Sequence, residues 1–156
     1  MGKKILLVDD EPNVRAGLAD ILRELGYDII EAGNGQDAIE KARAIRPDLV
    51  LMDTCMPGMD GIEACRQIKN IEGLTTKVII YTGYINAVDV TKARLAGADD
   101  YEVKTEGFGK LLSAIEKLGF KRERERERER KKKSKGKSGR VSIAKGGGKQ
   151  CQPRKK

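Results

Sequence analysis

Four apolar runs in this chain each end on a polar residue. Ile5–Val8 leads into Asp9 and Asp10, Leu49–Met52 into Asp53, Val78–Tyr81 into Thr82, and Tyr101–Val103 into Lys104. Short apolar runs bounded by turn residues read as strands of a parallel sheet buried on both faces. In such sheets, ligands lie outside the carboxyl ends of the strands. Here those ends gather three aspartates, a threonine and a lysine. Carboxylates set close together repel one another unless a cation joins them. Asp9, Asp10 and Asp53 therefore imply a hard metal. Mg²⁺ fits best, because it takes oxygen ligands and keeps positions for water and phosphate.

Helical patterns fill the intervals. Pro12 suits a first helical turn, where its missing N–H has no intrahelical partner anyway. Val14, Leu18, Ile21, Leu22 and Leu25 then recur at helical spacing before Gly26. Asp28–Ala32 reads as a second strand. Ala38, Ile39, Ala42 and Ile45 mark a helix that stops before Pro47. Ile62, Cys65 and Ile68 mark a third helix. A fourth covers about 87–96, with a weak apolar face of Val90, Ala93 and Leu95. Leu111, Leu112, Ile115 and Leu118 mark a fifth. Five strands alternating with helices predict an α/β fold, a doubly wound sheet with right-handed crossovers.

The motifs Val8-Asp9-Asp10-Glu11, Leu51-Met52-Asp53, Met56-Pro57-Gly58-Met59-Asp60-Gly61, Thr82-Gly83 and Gly97-Ala98-Asp99-Asp100-Tyr101, leading to Lys104, follow one another in order. Each alone is weak; together, from about Lys3 to Leu118, the chain resembles the receiver domain of two-component response regulators. The resemblance implies a flavodoxin-like sheet in the order 2-1-3-4-5. It implies a stand-alone receiver, of the kind found in chemotaxis or sporulation, that takes a phosphoryl group on Asp53 from a histidine kinase or phosphotransfer protein. Mg²⁺ would be held by Asp9, Asp10, Asp53 and the main-chain carbonyl of Cys55. Thr82 and Lys104 would contact the phosphoryl oxygens, and Tyr101 would be the aromatic that moves inward with Thr82. Cys55 and Tyr84 would tune the lifetime of the modified state. The output would be an altered face made by the fourth helix, last strand and last helix, presented to a downstream protein. One position departs from the family: Thr105 stands where a proline usually follows the lysine.

Composition divides the chain. Residues 1–120 hold 15 Lys/Arg and 20 Asp/Glu, a net of −5, while residues 121–156 hold 17 Lys/Arg and 4 Glu, a net of +13. The overall charge of +8 therefore describes the tail and not the domain. Residues 121–156 run through Arg-Glu repeats into Lys, Gly and Ser with few apolar residues, which predicts a basic, low-complexity, disordered tail. Three cysteines, with no Cys-x-x-Cys pair and no leader pattern, predict a reducing cytoplasmic setting. No apolar stretch approaches membrane-spanning length, so no membrane insertion is expected. The chain has no histidine, so it can receive a phosphoryl group from a histidine but cannot carry one on its own.

Two other functions compete. A Mg²⁺-dependent phosphohydrolase with an aspartyl nucleophile would place an acid/base two residues after Asp53, but Cys55 stands there. A nucleic-acid-binding regulator could act through weak, non-specific contacts of the tail with phosphates. No aromatic follows Phe120 to stack on bases.

Overall fold

The computed structural model describes residues 2–83, 86–122 and 125–135. The chain divides into two compact units, Met1–Arg122 and Glu123–Lys156. In the first, five parallel strands form one sheet in the order β2-β1-β3-β4-β5. They are β1 (Lys4–Val8), β2 (Asp28–Ala32), β3 (Leu49–Met52), β4 (Lys77–Thr82) and β5 (Asp100–Val103). The helices between and after them are α1 (Pro12–Glu24), α2 (Gly35–Ile45), α3 (Gly61–Lys69), α4 (Ala87–Leu95) and α5 (Phe108–Lys117). This is the doubly wound, flavodoxin-like order that the motifs imply.

Side-chain alternation along the strands feeds two cores. Leu6, Val8, Val50, Met52, Val78 and Ile80 pack with residues of α2, α3 and α4. Ile5, Leu7, Leu49, Leu51 and Ile79 pack with α1 and α5. All four residues of β3 are buried, as a central strand covered on both faces requires.

Local chemistry sets the helix starts. Pro12 opens α1. The side chains of Asn34, Asp60 and Asn86 accept from the main-chain N–H groups of Asp37, Glu63 and Asp89, capping α2, α3 and α4. Helix α2 ends at Ile45, and Arg46 takes a left-handed conformation before Pro47. All peptide bonds of the described residues are trans, including the one between Lys104 and Thr105. A single 3₁₀ turn, Lys104–Glu106, joins β5 to α5.

Two differences from the sequence pattern have physical causes. In α4, Ala93 is buried while Leu95 is 83% exposed; positions 93 and 95 are two apart and cannot share a helical face. Residues 125–135, expected to be disordered, form a helix. Within an Arg-Glu repeat, i,i+3 attraction and i,i+4 repulsion nearly cancel. At its junction with the lysine cluster the i,i+4 pair becomes attractive, and Lys131 Nζ lies 3.4 Å from Glu127 Oε1. Arg, Glu and Lys are also strong helix formers. The remainder of the tail, 136–156, lies outside the described residues.

Candidate functional site

The sheet register assembles the site. Val8 pairs with Met52, and Met52 with Ile80. The next residues, Asp9 and Asp53, therefore leave the sheet side by side. Main-chain bonds continue the pairing past the strand ends: Asp53 N–H donates to the Val8 carbonyl at 3.0 Å, and Asp9 N–H to that of Ala32 at 3.2 Å. The carboxylates are thus fixed by backbone rather than by flexible loops.

Carboxylate oxygens of Asp9, Asp10 and Asp53 all lie within 4.8 Å of one another. Asp9 and Asp53 are nearly buried, at 5% and 8% exposure, whereas Asp10 is exposed. Each buried carboxylate has a main-chain donor. Glu11 N–H donates to Asp9 Oδ1 at 3.0 Å, and Cys55 N–H to Asp53 Oδ1 at 3.3 Å. Arg15 donates to the main-chain carbonyl of Asp9 at 2.6 Å and to Glu31 at 3.2 Å, bracing the turn that carries the Asp pair.

Lys104 arrives from the far edge of the sheet. Its Nζ donates to Asp9 Oδ2 at 2.6 Å and to Asp53 Oδ2 at 3.4 Å, and sits 5.8 Å from the Tyr81 ring centre. Partial burial acts to lower its pKa, but the hydrogen bond to Asp9 and the charges of Asp53 and Asp9 outweigh burial, so the ammonium titrates above its ordinary value. A cation already stabilised between two carboxylates marks a place where positive charge belongs. The set is all-oxygen, partly open through Asp10, and suits a hard cation. Burial pushes the Tyr81 hydroxyl pKa up, against the lowering effect of Lys104.

Thr82 is fully buried. Its Oγ1 lies 2.8 Å from Thr54 Oγ1, a contact that no motif in the sequence announced. Tyr101 is partly buried against the α2–α3–α4 core, with the Arg94 guanidinium 5.6 Å from its ring centre. Cys55 is exposed beside Asp53. Tyr84 lies outside the described residues. The structure thus brings Asp9, Asp10, Asp53 and Lys104 into one cluster, sets Thr82 next to it through Thr54, and leaves Tyr101 packed at the edge of the sheet.

Gly61 explains the turn motif that follows Asp53. A Cβ there would meet the Asp53 carbonyl oxygen at 1.8 Å, so only glycine lets α3 start this close to the strand end. Gly61 N–H donates to the Thr54 carbonyl at 3.1 Å, closing the loop. Among the described residues no helix is long and apolar enough to cross a membrane.

The comparisons agree with this geometry. Transcriptional regulatory protein PdtaR of Mycobacterium tuberculosis is 41% identical over 115 residues, 73% of this chain and 55% of that protein. Chemotaxis protein CheY of Thermotoga maritima is 38% identical over 119 residues, 76% of this chain and 98% of that protein. The crystal structure of response regulator TrrA of Thermotoga maritima, in complex with Mg(2+)-BeF, matches with a TM-score of 0.67 and 39% identity, covering 74% of this chain and 98% of that chain. This chain spans about half the length of PdtaR and of DNA-binding response regulator MtrA, 55% and 45% of the two proteins. The family model for the response regulator receiver domain matches residues 5–116. With most of its length matched and its five-stranded sheet in the receiver order, the chain belongs to the response regulator receiver domain family.

Proposed function

We propose that this chain accepts a phosphoryl group on Asp53 and signals by the structural change that follows. The observation that carries this reading is the placement of Asp53. It leaves the central strand nearly buried, with Asp9 and Asp10 within 4.8 Å and the Lys104 ammonium at 3.4 Å. TrrA, solved with Mg(2+)-BeF, supports the choice of cation. Asp9, Asp10 and Asp53 would hold Mg²⁺, with the Cys55 main-chain carbonyl as a further ligand. Bound there, Mg²⁺ would supply the positive charge that offsets the carboxylates and an incoming phosphoryl group.

The chain's own residues do the remainder. An Asp53 carboxylate oxygen attacks phosphorus in line. The new O–P bond forms as the P–N bond to a partner's histidine breaks, and the electron pair leaves with the imidazole. The Cys55 N–H on Oδ1 holds the carboxylate plane. Lys104 neutralises a phosphoryl oxygen from the β5 side, and Thr82 offers its hydroxyl to another. Water later hydrolyses the acyl phosphate, at a rate tuned by what Cys55 and Tyr84 allow. A histidine kinase or phosphotransfer protein is the donor. A downstream protein reads the α4–β5–α5 face, where Tyr101 follows Thr82.

Intact-mass measurement after incubation with a small phosphodonor and Mg²⁺ tests the reading. One phosphoryl adduct is expected, lost in Asp53→Asn and with excess chelator. An adduct that persists in Asp53→Asn overturns the assignment.

A further inference from the structure

The Thr54–Thr82 contact is absent from the motifs and specific in its geometry. Met52, the last residue of β3, pairs with Ile80, and the loop that follows brings Thr54 against Thr82 at the end of β4. Their hydroxyl oxygens are 2.8 Å apart. Thr82 is fully buried and Thr54 is half-buried, so one end of this bond is closed to water.

Thr54 cannot simply follow Thr82. Its carbonyl accepts from Gly61 N–H at 3.1 Å, and the Cα of Thr54 would lie 2.9 Å from a Cβ on Gly61, so the loop is pressed against the start of α3. The peptide after Thr54 is tied to the acceptor, because Cys55 N–H donates to Asp53 Oδ1 at 3.3 Å. Thr82 is β-branched and stiff at χ1, so turning its hydroxyl toward Asp53 means changing rotamer and giving up the bond to Thr54. A phosphoryl oxygen on Asp53 and the hydroxyl of Thr54 then compete for the same Thr82 hydroxyl.

We propose that Thr54 is a positioning residue that holds Thr82 in its resting orientation and thereby sets the threshold of the switch. This rests on the phosphoacceptor reading of Asp53 and Thr82. The bond exists only in the resting arrangement, so removing it favours the phosphoryl-bound one. A neutral hydrogen bond of ordinary net strength corresponds to a shift of about threefold to tenfold.

The test is a titration of the full chain with beryllofluoride and Mg²⁺, followed by amide chemical shifts. Thr54→Val keeps the shape and removes the hydroxyl. It should bind the mimic about threefold to tenfold more tightly than wild type, and in the free protein its Thr82 and Tyr101 amide signals should move toward their mimic-bound positions. Thr54→Ser should match wild type, and Thr54→Ala should shift in the same direction as Thr54→Val. In a Thr82→Ala background the Thr54→Val gain should vanish, which a general effect on loop packing would not produce. Unchanged or weaker binding in both Thr54→Val and Thr54→Ala overturns the proposal while leaving the acceptor reading intact. So does a gain of the same size in the Thr82→Ala background. Wild type that fails to bind the mimic overturns both.

Discussion

The two sides of the sheet's carboxyl edge are built differently. On the β1–β3 side, every residue of β3 and four of the five in β1 are buried, and α3 buries Gly61, Ala64, Cys65 and Ile68. On the β4–β5 side, all four residues of β5 are only partly buried, α4 buries Ala93 alone, and Val88 and Leu95 are 61% and 83% exposed. The carboxylates stand on the first side; Lys104 and Tyr101 come from the second. On the proposed reading of Asp53, the carboxylates that would hold the charge stand on the well-packed half, and Tyr101, which would move, comes from β5, the strand with least to lose by moving.

The largest effect expected to separate the halves is in core truncation. Leu51→Ala, in a fully buried position, should cost about 2–5 kcal/mol. Leu95→Ala, at the most exposed apolar position of α4, should stay within about 0.5 kcal/mol. Urea unfolding of both variants gives the comparison, and equal midpoints would break it.

Glycine replacement should change sign across the molecule. Gly61→Ala drives a Cβ into the Asp53 main-chain carbonyl and should destabilise by about 1–3 kcal/mol. Gly109→Ala, in α5 with nothing within 4 Å of the new Cβ, should stabilise by about 0.4–1 kcal/mol. Losses at both positions would show that the β5–α5 connection is under more constraint than its exposure suggests.

The smallest effect in free energy is also the simplest to read. Burial pushes the Cys65 thiol up to about 12, whereas Cys55 is exposed. In a Cys151→Ser background at mildly alkaline pH, iodoacetamide should label Cys55 first, with Cys65 reacting only as fast as the fold opens. Simultaneous labelling would mean that α3 is as loose as α4.

Much of this was legible because the signal is local. Four apolar runs located β1, β3, β4 and β5, and the polar residue ending each run located Asp9, Asp53, Thr82 and Lys104. That Asp9 and Asp53 are neighbours followed from two parallel strands ending at one edge. The Thr54–Thr82 contact was not legible, since it depends on how the loop after β3 lies against the end of β4, and the register that sets this leaves no mark in a run of Val, Ile and Leu. The role of Gly61 was half legible: its motif reads as turn chemistry, but the approach of α3 to the Asp53 carbonyl is a tertiary fact. The α4 face misled for the opposite reason, as a short helix with few apolar residues offers no dominant period.

The Tyr27 hydroxyl donates to the main-chain carbonyl of Phe120 at 2.6 Å. Tyr27 immediately precedes β2, so this bond lies at the amino edge of the sheet, opposite the carboxylates. It works as a mooring. The chain is fastened just beyond α5, at the end of the sheet away from the acidic cluster. Whatever polypeptide continues from there starts from a fixed post, and its length or sequence can vary without disturbing the acidic cluster.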